Sequence, residues 1–321
     1  MNKAAKLIGR FLLFILGVII ILLAMFFINQ KMALRNEEKL LKPLGQEVEV
    51  NGHKINVYLE GGGHDTLVFM SGNSTCSPVL DFKSLYSELK DNYRIAVVER
   101  AGYGYSEDVD TSRDLDTVLE ETRAALKKAG ENGPYILYPH SMSALEALYW
   151  AEKYPDEIKA IVGLDPAVPE IYDNYELQSE GKTNILKIEK YLGISRFAPS
   201  SLNSIPAINA GYLSEDDIKL YKAIYYRKFL SKAMINEMEI VKDNSDKVKK
   251  SQVPKDIPML FFMSTGEGTG FDNKIWQDTM KSYISKINNG RVIELNSSHY
   301  VQDFAPVEIA EKSKEFIENL N

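Results

Sequence analysis

The run Tyr135-Ile136-Leu137-Tyr138-Pro139-His140-Ser141-Met142-Ser143-Ala144 decides the fold. An apolar stretch ends at His140-Ser141-Met142, and a helix-period pattern (Leu145, Leu148, Tyr149, Glu152) begins at once. A strand that turns sharply into a helix with serine at its apex pushes one hydroxyl into the open. It also leaves the free N–H groups of the helix start beside that hydroxyl. This is the geometry of a nucleophile elbow, suited to acyl transfer. Against the small-x-Ser-x-small pattern of such elbows, Pro139-His140-Ser141-Met142-Ser143 fits at Ser143 and departs at Pro139. Proline fixes φ and lacks an N–H, which a strand end tolerates.

Outward from the elbow, short apolar strands alternate with helical patterns. Glu47–Val50 and Lys54–Leu59 flank Asn51-Gly52, a strong hairpin signal. Thr66–Met70 and Tyr93–Val98 are apolar on both faces, as buried parallel strands are. Pro78–Leu89 reads as one helix, and Leu115, Val118, Leu119, Ala125, Leu126 and Ala129 mark a second. Strands follow at Ile158–Leu164, Met259–Met263 and Arg291–Leu295, with a last helix from near Pro306. The alternation predicts an α/β fold with a doubly wound, mostly parallel sheet. Residues 168–255 break it. They carry only helical pattern, with a capping-box start at Ser214-Glu215-Asp216-Asp217, and read as a helical lid inserted between two core strands. The predicted organisation is an anchor over 1–30, a linker over 31–45, a core over 46–167 and 256–321, and a cap over 168–255.

The anchor rests on Phe11–Ile28, eighteen uncharged apolar positions in a row. At about 1.5 Å per residue they reach roughly 27 Å, close to the ~30 Å hydrocarbon core. A cleaved signal peptide has a shorter apolar region and a small-x-small site, which the residues after Ile28 do not supply. The expectation is a single-pass cell-membrane protein. Lys3, Lys6 and Arg10 favour an inside N-terminus and an extracytoplasmic body, although Lys31 and Arg35 pull the other way. Residues 1–42 carry seven Lys/Arg against two Glu, a charge of +5, so the remainder of this −7 chain is −12. An acidic body argues against nucleic acid as a partner. Cys76 is the only cysteine, so no intrachain disulfide can form. The four histidines are scattered without metal-ligand spacing, and neither a metal nor a cofactor is expected.

From about Glu47 to Asn321 the chain resembles the α/β-hydrolase-fold family with a helical cap. Three landmarks carry the resemblance: Met70-Ser71-Gly72-Asn73-Ser74, Glu99-Arg100-Ala101-Gly102-Tyr103-Gly104-Tyr105-Ser106, and the elbow. The first resembles the family's His-Gly-x loop, with Ser71 in place of the histidine, and implies an oxyanion donor at the N–H of Asn73. The second resembles a structural Asp-Arg-x-Gly-x-Gly-x-Ser loop. The elbow implies Ser141 as nucleophile and the N–H of Met142 as second oxyanion donor. A serine needs a base. His53 and His64 lie by the N-terminal hairpin, and His140, adjacent to Ser141, is expected to point away. His299, between the last strand and the last helix, occupies the family's place for the base. Two carboxylates obey the order Ser…acid…His: Asp165, after the strand that follows the elbow helix, and Glu267, in the loop after Met259–Met263. Asp165 is the first choice and Glu267 the alternative.

The resemblance therefore implies a serine hydrolase acting on an ester-type acyl bond of a small-molecule substrate, and the apolar run adds the membrane anchor. Two other readings stay open. One is a proline-iminopeptidase-like aminopeptidase, for which Glu170, Glu176 or Glu180 of the lid would hold the substrate amine. The other is a catalytically inactive hydrolase-fold binding module, suggested by the departures at Pro139 and Ser71.

Overall fold

A computed structural model describes residues 3–177 and 179–320 of the chain. The eight strands are β1 (Gln46–Val50), β2 (His53–Glu60), β3 (Thr66–Met70), β4 (Arg94–Glu99), β5 (Tyr135–Pro139), β6 (Ile158–Leu164), β7 (Met259–Met263) and β8 (Gly290–Glu294). They form one sheet in the order β1-β2-β4-β3-β5-β6-β7-β8. β1 and β2 pair antiparallel across a turn whose Asn51 and Gly52 both have positive φ, as an Asn-Gly hairpin requires. β2 is antiparallel to β4, and every other pairing is parallel.

The helices are α1 (Lys3–Glu37), α2 (Pro78–Asp81), α3 (Lys83–Ser87), α4 (Leu115–Lys128), α5 (Ala144–Lys153), α6 (Glu180–Leu192), α7 (Pro206–Asn209), α8 (Glu215–Lys228), α9 (Lys232–Glu239), α10 (Val241–Lys250), α11 (Asn273–Ile284), α12 (Val301–Phe304) and α13 (Pro306–Glu318). The central strands β3, β5, β6 and β7 are apolar at every position but Thr66 and Lys159 because helices cover both faces. One face packs Val68, Leu137, Ile161 and Phe261 against Leu119, Leu148, Trp150 and Met280 of α4, α5 and α11. The other packs Phe69, Ile136, Val162 and Phe262 against Phe82, Leu85, Ile309 and Phe316. The expected doubly wound α/β sheet is therefore present, and α6–α10 lie between β6 and β7, where the helical pattern interrupts the alternation.

Two segments differ from the sequence reading. Pro78–Leu89 is two short helices, because Phe82 leaves helical geometry at φ −92°, ψ 0° and ends α2. The stretch expected as a linker from residue 31 stays helical to Glu37. Its side chains are held by the cap: Gln30 and Glu37 both bond Arg196, and Arg227 donates to Glu37 and to the carbonyl of Leu34. Tertiary contacts thus extend a helix that local composition leaves undecided. Among the described residues, α1 is the one helix long and apolar enough to cross a membrane.

The Glu99–Ser106 loop has a structural cause. Glu99 is buried and accepts bonds from the Tyr105 N–H and the Asn56 amide. Gly104 sits at φ +46°, and a Cβ there would lie 2.0 Å from the Glu99 carboxyl. Gly104→Ala is expected to cost about 2–4 kcal/mol, combining a positive φ with a clash in a buried site. Denaturant unfolding measures it, and a loss under about 0.5 kcal/mol would contradict this account of the loop.

Candidate active site

The turn at Ser141 is built by its neighbours. Ser141 has φ +54°, a conformation costly for a residue with a Cβ and tolerated where surrounding contacts dictate it. Ser143, just behind, donates its hydroxyl to the Met70 carbonyl at 2.7 Å and lies 2.9 Å from that of His140, tying the elbow to β3. Gly72 has to be small. A Cβ on it would stand 3.0 Å from the Ser141 Cβ and 3.2 Å from His140 Nδ1. Pro139 pairs with Met70 of β3, and its missing N–H falls in a gap of the β5–β6 pairing, between the Leu137–Ile161 pair and the His140–Leu164 bridge.

Ser141, Asp165 and His299 come from the C-terminal ends of β5, β6 and β8, the edge at which parallel α/β sheets carry their sites. His299 Nε2 lies 2.9 Å from Ser141 Oγ, and His299 Nδ1 lies 2.6 Å from Asp165 Oδ2. Asp165 is fully buried, with φ +45°. Its carboxylate also accepts from the Ser264 N–H at 2.8 Å, the Ser264 hydroxyl at 2.7 Å and Trp276 Nε1 at 3.0 Å. With four donors converging on it, this buried charge is satisfied as burial demands. Glu267 takes another position: its backbone carbonyl accepts the His299 N–H at 2.9 Å, and its side chain is exposed.

His140 departs from the expectation that it diverges from the site. Its ring lies 4.7 Å from that of His299, and its Nε2 is 3.2 Å from the His299 carbonyl oxygen. Burial, and then the neighbouring His299, hold its pKa well below the ordinary imidazole range, so it stays neutral beneath the site. Cys76 is buried, and burial pushes its thiol well up, which leaves it inert as a nucleophile. His53 lies elsewhere, 3.5 Å from Glu121, and His64 is exposed.

Asn73 and Met142 line one cavity of about 230 Å³ with Ser141, His299, Tyr175 and Phe271. No carboxylate is among its lining residues as described. The Asn73 loop is clasped to the cap, since the Asn73 amide donates to the Met234 carbonyl at 2.9 Å. Next to it Glu237 of α9 is buried and bonded by Arg100 through Nε and Nη2, both at 3.1 Å, and by the Tyr103 hydroxyl at 2.5 Å. Arg100 Nη1 in turn donates to the Ser71 carbonyl at 2.8 Å. Sequence reasoning missed Ser264, Trp276 and Glu237, and it read Ser143 only as a small elbow residue. Only Trp276 carried any signal, as one of two tryptophans in the chain.

No family model matches the chain. It is 38% identical over 295 residues to the uncharacterized protein YbdG of Bacillus subtilis (strain 168), covering 91% of each chain. Among solved structures, it superposes on the epoxide hydrolase VrEH1 of Vigna radiata with a TM-score of 0.66 at 20% identity, covering 85% of this chain and 97% of that one. The enol-lactonase of Burkholderia xenovorans LB400 gives a TM-score of 0.58 at 12% identity, covering 85% of this chain and all of that one.

Truncating Glu237 leaves Arg100 buried with its main partner gone. Glu237→Ala is expected to lose about 3–5 kcal/mol of stability. A melting temperature equal to that of the parent would refute the clasp.

Proposed function

This chain belongs to the family of the Bacillus subtilis protein YbdG and has the α/β-hydrolase fold, and we propose that it is a membrane-anchored serine hydrolase cleaving an ester-type acyl bond. The observation that carries the reading is the chain of short contacts from Ser141 Oγ through His299 to Asp165 Oδ2. Ser141 Oγ attacks the acyl carbon while His299 Nε2 takes its proton. Asp165 holds the proton-bearing Nδ1, orients the ring and stabilises the imidazolium. The backbone N–H groups of Asn73 and Met142 receive the oxyanion, each worth about 3 kcal/mol of barrier. Collapse of the tetrahedral intermediate breaks the C–O bond, and His299 returns its proton to the leaving alkoxide. Water, deprotonated by His299, then attacks the acyl-enzyme and releases the acid and the free Ser141 hydroxyl. The mechanism requires no metal or cofactor.

The aminopeptidase reading needs a carboxylate beside the acyl site. Glu170 is engaged by Lys286 at 2.7 Å, Glu180 lines only the adjoining cavity of about 520 Å³, and neither it nor Glu176 lines the cavity around Ser141. The aligned serine, histidine and aspartate likewise favour an enzyme over an inactive module. We place the body outside the cytoplasm, on the basic residues that precede the apolar run.

Ser141→Ala is expected to abolish ester turnover and labelling by a fluorophosphonate probe; labelling undiminished in that variant would remove the serine from the mechanism. Asp165→Asn should lower kcat roughly ten-thousandfold by mis-setting the His299 tautomer. Glu267→Gln should leave kcat within about threefold, because the Glu267 contact to His299 is a backbone one. The reverse ranking in steady-state assays of p-nitrophenyl esters would transfer the acid role to Glu267.

A further inference from the structure

The cap helix α6 has two working faces. Thr183, Leu186 and Lys187 line a cavity of about 520 Å³, which shares Asn73, Ser74 and Met238 with the smaller cavity around Ser141. A third cavity, of about 630 Å³, adjoins at Lys187 and Leu230 and is bounded on its far side by Gln30, Lys31 and Leu34 of α1. Adjoining hollows thus lead from Ser141, beneath α6, to the anchor helix. Away from these cavities α6 leaves Ile185 and Ile188 exposed by 59% and 58%, and beside the third cavity Tyr191 and, in the turn after α6, Phe197 are exposed by 60% and 58%. Four large apolar side chains this open in one segment are what a soluble surface avoids.

Their place relative to α1 says what covers them. The Phe197 ring lies 4.9 Å from Phe26, and the Tyr191 ring 5.1 Å from Phe27. Both phenylalanines belong to the apolar run that ends at Ile28, so these contacts sit within about 3 Å of its end along the helix axis. Just beyond, Lys31 Nζ lies 5.5 Å from the rings of both Phe27 and Tyr191, an aromatic-and-lysine pairing typical of the headgroup level. Gln30 bonds Arg196 at this height, and Glu37, two turns further along α1, bonds the same arginine and locks the cap to the helix. A bilayer that solvates Phe11–Ile28 therefore meets the exposed face of α6 whichever side of the membrane the body occupies.

We propose that this face of α6 is seated in the surface of the bilayer that α1 spans, so that the cavity leading to Ser141 opens at the leaflet and takes a membrane-partitioned acyl ester from it. The proposal rests on α1 being a membrane anchor and, for the substrate, on Ser141 being the nucleophile. Cys76 is the only native cysteine and is buried, so a thiol-reactive fluorophore reports on an introduced one. The full chain is placed, one copy per disc, in phosphatidylcholine nanodiscs containing nitroxide-labelled lipid, with the label at Ile188→Cys, Ile20→Cys or Lys312→Cys. Quenching of about twofold or more is expected at 188 and 20, and none at 312. Quenching at 20 without quenching at 188 overturns the proposal, and energy transfer between labelled copies in discs loaded with two then assigns the face to a second copy. Absence of quenching at 20 removes the anchor itself. The double variant Ile185→Ser/Ile188→Ser should lose about tenfold in kcat/KM on a long-chain p-nitrophenyl ester held in the disc while keeping its rate on p-nitrophenyl acetate. Equal rates for variant and parent on both esters overturn the loading route. Parent inactivity on both would remove the hydrolase reading and leave the quenching result intact.

Discussion

The Asp165 carboxylate is the point on which the rest of the structure turns. It sits at the end of β6 with no exposed surface, and its four donors come from the residue after β7, from α11 and from the loop after β8. A buried carboxylate is expensive unless every acceptor direction is filled. Satisfying this one ties three separate segments of the chain to one spot. The same bonds that offset its desolvation aim the His299 ring at Ser141. Stability and site geometry are therefore one arrangement.

A second polar cluster does for the cap what Asp165 does for the core. Glu237 brings a cap helix onto Arg100 and Tyr103, and Arg100 reaches the carbonyl of Ser71 in the loop that carries Asn73. The Asn73 side chain completes the link by donating to Met234. The cap is joined to the Asn73 loop through buried, charge-assisted bonds, which hold position more strictly than apolar contacts alone. At its other end the cap grips α1 through Arg196 and Arg227, so α1, cap and site form one connected body.

Much of this was legible in the residues. Apolar strands at residues 66–70, 135–139, 158–164 and 259–263 carry polar side chains only at Thr66 and Lys159, near their starts, since helices bury both sides. The Asn51-Gly52 turn and the Ser214 capping box are local chemistry that neighbours cannot easily override. What escaped reading depended on contacts distant in sequence. The helical stretch from residue 31 to Glu37 is held by arginines more than 150 positions away. The break at Phe82 between α2 and α3 is invisible to a periodicity that both pieces share. Ser264 and Trp276 look like any strand-end serine and any core tryptophan until Asp165 stands between them.

The sequence by itself determined the alternation of strand and helix, the strand–Ser141–helix turn, the apolar helix near the N-terminus and the insertion before β7, because each is written in neighbouring side chains and their periodicity. It left two carboxylates for His299 and placed His140 out of the way. The tertiary structure alone decided that the Asp165 carboxylate lies against His299 Nδ1 while Glu267 offers a backbone carbonyl, and that His140 packs beneath the ring. The physical reason is that a hydrogen bond is settled by distances of a few ångströms between segments more than a hundred residues apart. Those distances exist only once the sheet has stacked its strands.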